Sequence, residues 1–359
     1  MSYNPFGGNG DGPYGIQNTS TFWDHRTFPF NSEIGSVGMG DYESLRRFIP
    51  EANMKVPDFR NRKQDSVWQY HKYIGYDRHI DAYGTPKDLK DFAAKAQLVN
   101  YNQYRALMEG FSAHMWEWYT GVIIWKTQNP WTALRGQMYD YYLDPNACLY
   151  GLHSGSEPFH VMYNAADGTV MIANNTFTAK HNIMLVAKAY DIDGKEILLS
   201  QVFSEIEPTR SKIYFSLKHR LEELAKDKGV FLSLRLLNEN RKTLSDNLYW
   251  LPDSTGIYSG LQEMKKAAVN ITAKGTGPGK ILVTIENPTG NPVAFFNRLS
   301  LVNPASGQRI LPVFYSNNYL SVLPGEQKTV TMDYTPSADE KEVVEVSGWN
   351  VNRQYVKIK

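Results

Sequence analysis

The 359-residue sequence contains a single cysteine, Cys148, so no disulfide can form within the chain. Cysteine usage therefore does not fix the compartment. Charge of one sign is also lacking: 38 Lys and Arg stand against 37 Asp and Glu. With no basic run either, the chain has no field that draws it to nucleic acid or acidic lipid. No apolar run approaches the roughly 18 residues of a membrane span. The eight histidines show no metal-ligand spacing with one another or with Cys148. Asn9-Gly10-Asp11-Gly12 lacks an EF-hand pattern, and Gly275 to Gly279 lacks the Lys-Ser/Thr that follows in a phosphate loop. Nothing calls for a metal or a cofactor. Cys148 has no neighbour that would make it a nucleophile. The stretch from Met1 to Gly12, rich in Gly and Asn, has neither the basic nor the apolar part of a signal peptide. It reads as a loop of active-site type, cut open.

What the chain does have is apolar residues, at 42%, enough for sizeable cores across two or three domains. Aromatic residues reach 13%, with 23 Tyr and 8 Trp, and suit either large cores or surfaces for sugar C–H faces. The pattern changes twice along the chain. Residues 1–152 alternate short strands with helices. Phe28 to Ser32 predicts a strand. Asp41 to Ile49 predicts a short helix capped by Asp41 and stopped by Pro50. A long helix is expected from Thr85-Pro86 to about Trp116, with Thr85 as cap and Pro86 in the first turn. Thr120 to Trp125 is a continuous apolar run, as for a parallel strand buried on both faces. A further helix is expected from Trp131 to Tyr142. The order is that of two βα units with right-handed crossovers, as in a parallel barrel. Two units cannot close an eight-stranded barrel.

Residues 153–256 read differently. Strands are predicted at 169–173, 183–190, 196–200 and 230–236, with a turn at Asp191 to Gly194 and a charged surface helix over 217–228. This spacing suggests an Ig-like β-sandwich. Leu251 to Gly256 reads as a linker. Residues 257–359 repeat the sandwich pattern, with strands at 267–273, 280–285, 292–302 and 329–334. The fold class is thus a multi-domain α/β plus all-β chain.

Chemistry centres on Glu33. It follows a short apolar run and precedes Gly35, at the face where parallel barrels place their active sites. Retaining glycoside hydrolysis needs two carboxylates about 5–5.5 Å apart, one to attack the anomeric carbon and one to act as acid and base. Glu33 is placed for the first role. Trp125 ends the second strand and should open on the same face, offering a flat wall for a sugar ring. Asn129 can bond a hydroxyl there, and Trp131 is either a further wall or core.

These residues carry a resemblance. Phe30-Asn31-Ser32-Glu33-Ile34-Gly35-Ser36-Val37-Gly38 resembles the nucleophile motif of glycoside hydrolase family 2. It is most similar to the branch of exo-β-glucosaminidases, β-mannosidases and mannosylglycoprotein endo-β-mannosidases. Gly121 to Trp125, Asn129-Pro130-Trp131 and Gln137 to Tyr142 resemble that branch's last barrel strand and helix. Glu157 to Val161 and Asn247 to Pro252 resemble the entry to and exit from its sandwich. Leu311 to Tyr319 and Leu323 to Glu326 resemble its C-terminal Ig-like domain. The resemblance implies a β-linked oligosaccharide or glycan as substrate, Glu33 as nucleophile, and an acid/base Glu after Asn on an earlier strand. The only Asn-Glu pair, Asn238-Glu239, falls in the sandwich. The resemblance thus implies a C-terminal part of such an enzyme, inactive alone and completed by N-terminal domains of the same polypeptide; a separate chain that supplies the missing half barrel is a further expectation. Many relatives are exported. Lys126-Thr127-Gln128 departs from the family's usual apolar residues and Asn, which makes a different sugar pocket expected. The competing expectation is a non-catalytic carbohydrate-binding or structural protein.

Overall fold

The structure, a computed structural model, describes residues 9–24, 28–35, 37–57, 65–337 and 341–359. The chain divides into two units. One comprises Met1–Tyr141, Pro145–Ala189 and Glu196–Ser259, and the other Tyr142–Asp144, Tyr190–Lys195 and Gly260–Lys359.

The first unit opens with three parallel strands, β1 (Asn9–Tyr14), β2 (Phe30–Gly35) and β3 (Gly121–Trp125), side by side in that order. The sequence predicts β2 and β3. The strand β1 corrects the reading of this stretch as loop; Met1 to Gly8 lie outside the described residues. Asn-Gly-Asp-Gly-Pro-Tyr has no alternation and little β-propensity, so its pattern gives no strand signal. Pairing supplies what propensity lacks: the buried Asn31 side chain on β2 donates to Gly12 O at 2.7 Å. β3 is not buried on both faces as expected. It lies at the sheet edge, and Ile123 is 54% exposed.

Between β2 and β3 run α1 (Tyr42–Leu45), α2 (Ser66–Tyr70), α3 (Asp77–Asp81) and the long α4 (Leu89–Ala113). Asp41 caps α1 as predicted, accepting from Ser44 N at 3.1 Å. For α4 the cap is Asp88, not Thr85; its carboxylate accepts from Asp91 N at 2.8 Å. The Gly84 and Thr85 carbonyls accept instead from the Lys95 ammonium, at 3.0 and 3.3 Å, so this stretch crosses the helix start without joining it.

The helix expected over 131–142 does not form. Met138 N and Tyr139 N both donate to Thr127 O, at 2.8 and 3.0 Å, which diverts donors that a helix would aim four residues back. Gly136 and Leu143 adopt positive φ, 59° and 64°, which also breaks a helical run. The helix of this region is α5 (Ala147–Gly155), capped by Asn146, whose Oδ1 accepts from Cys148 N at 2.8 Å.

A seven-stranded sandwich completes the first unit. Strands β4 (Phe159–Asn164), β5 (Thr169–Asn174) and β8 (Arg210–Ser216) form one sheet. The other is ordered β10 (Thr243–Leu251), β9 (Val230–Leu237), β6 (Lys180–Tyr190) and β7 (Glu196–Ile206). Val161, Ile172, Leu185, Leu232 and Leu234 fill its core. The predicted surface helix is α6 (Lys218–Ala225), which buries Leu221 and Ala225 and leaves most of its charges outward.

A buried polar network fastens α4 to this sandwich. Glu109 on α4 accepts from Tyr249 Oη and Asn247 Nδ2, each at 2.7 Å. His160 on β4 lies between Glu109 and Glu157, with each ring nitrogen 3.1 Å from a carboxylate oxygen. Arg105 donates to Leu248 O at 2.6 Å and to Asn247 Oδ1 at 3.1 Å. Burial alone would lower the His160 pKa. The hydrogen bonds and charges of Glu109 and Glu157 outweigh burial and raise it to about 9.

The second unit is a sandwich of eight strands, β11 (Asn270–Gly277), β12 (Lys280–Asn287), β13 (Ala294–Val302), β14 (Val313–Tyr315), β15 (Leu320–Val322), β16 (Glu326–Tyr334), β17 (Val343–Ser347) and β18 (Gln354–Lys357). Its sheets are ordered β11-β12-β16-β14 and β15-β13-β17-β18. Val283, Ile285, Leu299, Leu301, Met332 and Val344 are fully buried between them. Within this unit the buried Asp144 carboxylate bridges Arg298 at 2.9 Å and Arg309 at 2.5 Å.

Candidate active site

Glu33 projects from β2, partly buried, with its carboxylate accepting from Tyr14 Oη at 2.9 Å. Asn31, two residues earlier and fully buried, sets the backbone: its Oδ1 accepts from Glu33 N at 3.0 Å while its amide holds β1. The Tyr14 hydroxyl is pushed up to about 12 by burial first, then by its hydrogen bond to Glu33 and that carboxylate's charge. The charge of Asp11 adds to the rise and that of Arg135 opposes it. The phenol is therefore a neutral donor at ordinary pH, suited to holding a carboxylate in one orientation.

Trp125 ends β3 opposite Gly35 in the register. Its ring lies edge-on to Tyr14, with centroids 5.9 Å apart and planes at 79°. Gly35 has φ 139°, and a Cβ there would stand 2.5 Å from Trp125 O, so only glycine lets β2 and β3 meet this closely. Glu33, Tyr14 and Trp125 thus form one linked group. The Trp125–Lys126 peptide bond is cis. Two cations cover the Trp125 ring: Lys126 Nζ is 5.2 Å from its centroid and Arg135 Cζ is 5.4 Å from it.

The other two predicted site residues are engaged elsewhere. Asn129 is buried and donates to Arg135 O at 2.7 Å and to Gln137 Oε1 at 3.4 Å. Its amide fastens the loop that carries Arg135. Trp131 stacks on His71 with centroids 6.0 Å apart and meets Tyr70 edge-on at 5.5 Å. The His71 ring in turn sits 2.5 Å from Thr132 O through Nδ1. This loop also locks onto β2's exit, because Gly38, at φ 144°, packs its Cα against Gln137, whose carbonyl O would lie 2.0 Å from a Cβ. Asn238-Glu239 stands apart from the group: Glu239 accepts from Asn182 in the sandwich at 2.6 Å.

Sequence reasoning did not single out Tyr14 or Arg135. Tyr14 belongs to a stretch with no strand signal. Arg135 reaches Trp125 only because the loop turns back at Thr127. Asn31 lies inside the motif around Glu33, but its part in pairing β1 needs a second strand to be seen. Among the described residues no group of His, Cys, Asp and Glu is arranged to hold a metal ion.

Comparison with known proteins adds to this geometry. Residues 247–351 match the exo-beta-D-glucosaminidase Ig-fold domain, and residues 169–253 match the mannosidase Ig/CBM-like domain. The mannosylglycoprotein endo-beta-mannosidase of Lilium longiflorum is 31% identical over 97% of this chain and 44% of its own length. The exo-beta-D-glucosaminidase of Arthroderma benhamiae is 30% identical over 98% of this chain and 43% of its own. The crystal structure of the Amycolatopsis orientalis exo-chitosanase CsxA superposes with a TM-score of 0.80, at 25% identity, over 96% of this chain and 45% of that one. The Dictyoglomus thermophilum beta-D-mannosidase, at 16% identity and a TM-score of 0.72 over 94% of this chain and 39% of that one, shares the fold. The chain therefore spans under half the length of these relatives. Its Ig-like domains match those of glycoside hydrolases. Within that class the chain is similar to the C-terminal portion of enzymes of the exo-β-glucosaminidase and mannosidase branch of family 2.

Proposed function

We propose that the protein containing this chain is a retaining β-glycosidase acting on a β-mannoside or β-glucosaminide, with Glu33 as nucleophile. The observation that carries this reading is the linked group of Glu33, Tyr14 and Trp125 at the ends of parallel strands. In this reading β1, β2 and β3 are the last strands of a (β/α)8 barrel within residues 1–152. Residues 153–256 and 257–359 are the two Ig-like domains that follow. Glu33 attacks the anomeric carbon as the glycosidic bond breaks, and water later displaces the sugar from Glu33. Tyr14 holds the attacking carboxylate. Trp125 walls the ring of the sugar, and Trp131 lies farther out along the same loop. Asn129 serves by positioning the loop. The acid/base comes from outside this chain, and this chain alone does not turn over substrate.

The test is Glu33→Gln in the full-length protein, where kcat should fall by about 10⁴-fold or more, the scale set by losing a nucleophile. A fluoroglycoside that traps the intermediate should label Glu33 in the unaltered protein. Normal turnover by the Gln variant, or label on another residue, would overturn the assignment.

A further inference from the structure

We infer that Lys126 and Arg135 form a subsite for a negatively charged group on the substrate, so that the sugar accepted carries a carboxylate or a sulfate. The inference rests on the reading of Glu33 and Trp125 given above and adds the charge of the substrate to it. Both cations lie over one ring, at 5.2 and 5.4 Å, and that ring is linked through Tyr14 to Glu33. Neither makes an ion pair among the described residues. Arg135 is only partly exposed, and its Nε is buried with no hydrogen-bond partner there.

Arg235 and Arg298 also bury an Nε without a hydrogen bond, but the Arg298 guanidinium pairs with Asp144. Arg105 spends its guanidinium on Leu248 O, Asn247 and Asn102, and Arg309 on Asp144. An Nε–H held out of water without an acceptor is costly unless something arrives to match it. The nearest ring supplies part of the compensation, since a cation over Trp is attracted by its face. But two like charges on the same indole repel each other, and an anion relieves that repulsion. The carboxylates nearby do not do so. Asp11 and Glu33 act on Tyr14, and neither pairs with Lys126 or Arg135 among the described residues.

The loop is also fixed before any ligand arrives. Asn129 grips Arg135 O at 2.7 Å, and Met138 and Tyr139 are tied to Thr127 O. With the Arg135 backbone fixed, the guanidinium fork has less freedom to lose on binding a planar or tetrahedral oxyanion. Lys126 adds a point charge on the same ring.

The experiment compares chromogenic glycosides in pairs with the full-length protein. One pair is p-nitrophenyl β-D-mannoside and the same glycoside with a C6 carboxylate. The other is p-nitrophenyl β-D-glucosaminide and its 6-O-sulfate. In at least one pair the anionic member should show kcat/KM about tenfold or more above its parent, the scale of a charge-assisted contact. The pair that shows it tells carboxylate from sulfate. The preference should shrink as salt rises. It should fall to near unity with Lys126→Gln and Arg135→Gln together, and survive in part with Arg135→Lys. Parents cleaved as well as or better than their anionic partners would overturn the inference while leaving the glycosidase reading intact. Should no glycoside be cleaved, the glycosidase reading fails, and calorimetric titration with mannuronate and glucosamine 6-sulfate against mannose decides the subsite. Preference for the anions, lost in Arg135→Gln, supports it, and equal or absent binding overturns it.

Discussion

His160 offers the sharpest test of how the first unit is held together. Its imidazole is buried between Glu109 and Glu157, and its pKa stands at about 9 against 6.5 for an ordinary histidine. A folded-state pKa raised above the unfolded value means the folded chain binds the proton more tightly. The resulting stabilisation is complete below about pH 6.5, where both states are protonated, and is lost as pH rises through about 9. Each tenfold gain in proton affinity is worth about 1.4 kcal/mol, so the contribution at stake is about 3 kcal/mol. For a unit of this size that corresponds to a fall in Tm of roughly 6–12 °C. The assay is calorimetric unfolding of the protein from pH 6 to 10, read on the transition of the first unit, for the unaltered protein and His160→Gln. The unaltered unit should lose the stated amount across the window. The Gln variant should start lower and change much less, since it has no proton to release. Parallel curves with a constant offset would refute the reasoning, because they would mean that the imidazole binds its proton no more tightly in the folded chain than in the unfolded one.

Two further outcomes are expected. Tyr14→Phe removes the donor to Glu33 while keeping the ring against Trp125; turnover of the full-length protein should fall about 10- to 100-fold, within the usual range for a lost positioning contact near a reacting group. A Phe variant with unchanged kcat would show that the bond is incidental. Asp144→Asn leaves Arg298 and Arg309 buried without their shared carboxylate, and should destabilise the second unit by about 3–5 kcal/mol in urea unfolding, the cost of breaking a buried ion pair on one side. A loss below about 1 kcal/mol would place that pair with weak surface bridges.

The parts of this fold that were legible in the sequence are those where local and tertiary forces agree. β6, β9, β12 and β13 carry long apolar or alternating runs, and burial follows that pattern. α4 keeps its apolar positions on helical spacing over most of its length. What escaped notice was decided by partners distant in sequence. β1 is a strand because β2 lies beside it. β14 and β15 are three residues each and carry no period to read. The 131–142 stretch has the apolar spacing of a helix, yet its donors turn to Thr127 O. The short α5, with two glycines in Ala147–Gly155, has weak propensity and is fixed by its Asn146 cap. At the candidate site, Glu33 and Trp125 were visible as strand-end residues. Tyr14 and Arg135 were not, because a hydrogen bond between side chains 19 residues apart leaves no trace in spacing.

The close approach of Gly38 to Gln137 bears on how a protein of this kind can diversify. The exit of the strand bearing Glu33 and the loop beyond Trp125 share a seam that has no room for a methyl group. Lengthening the loop on either side of that seam would shift Glu33 along with it. On the reading proposed above, what the site recognises would change mainly by exchange of side chains at Lys126, Gln128 and Arg135, while the loop keeps its length and path.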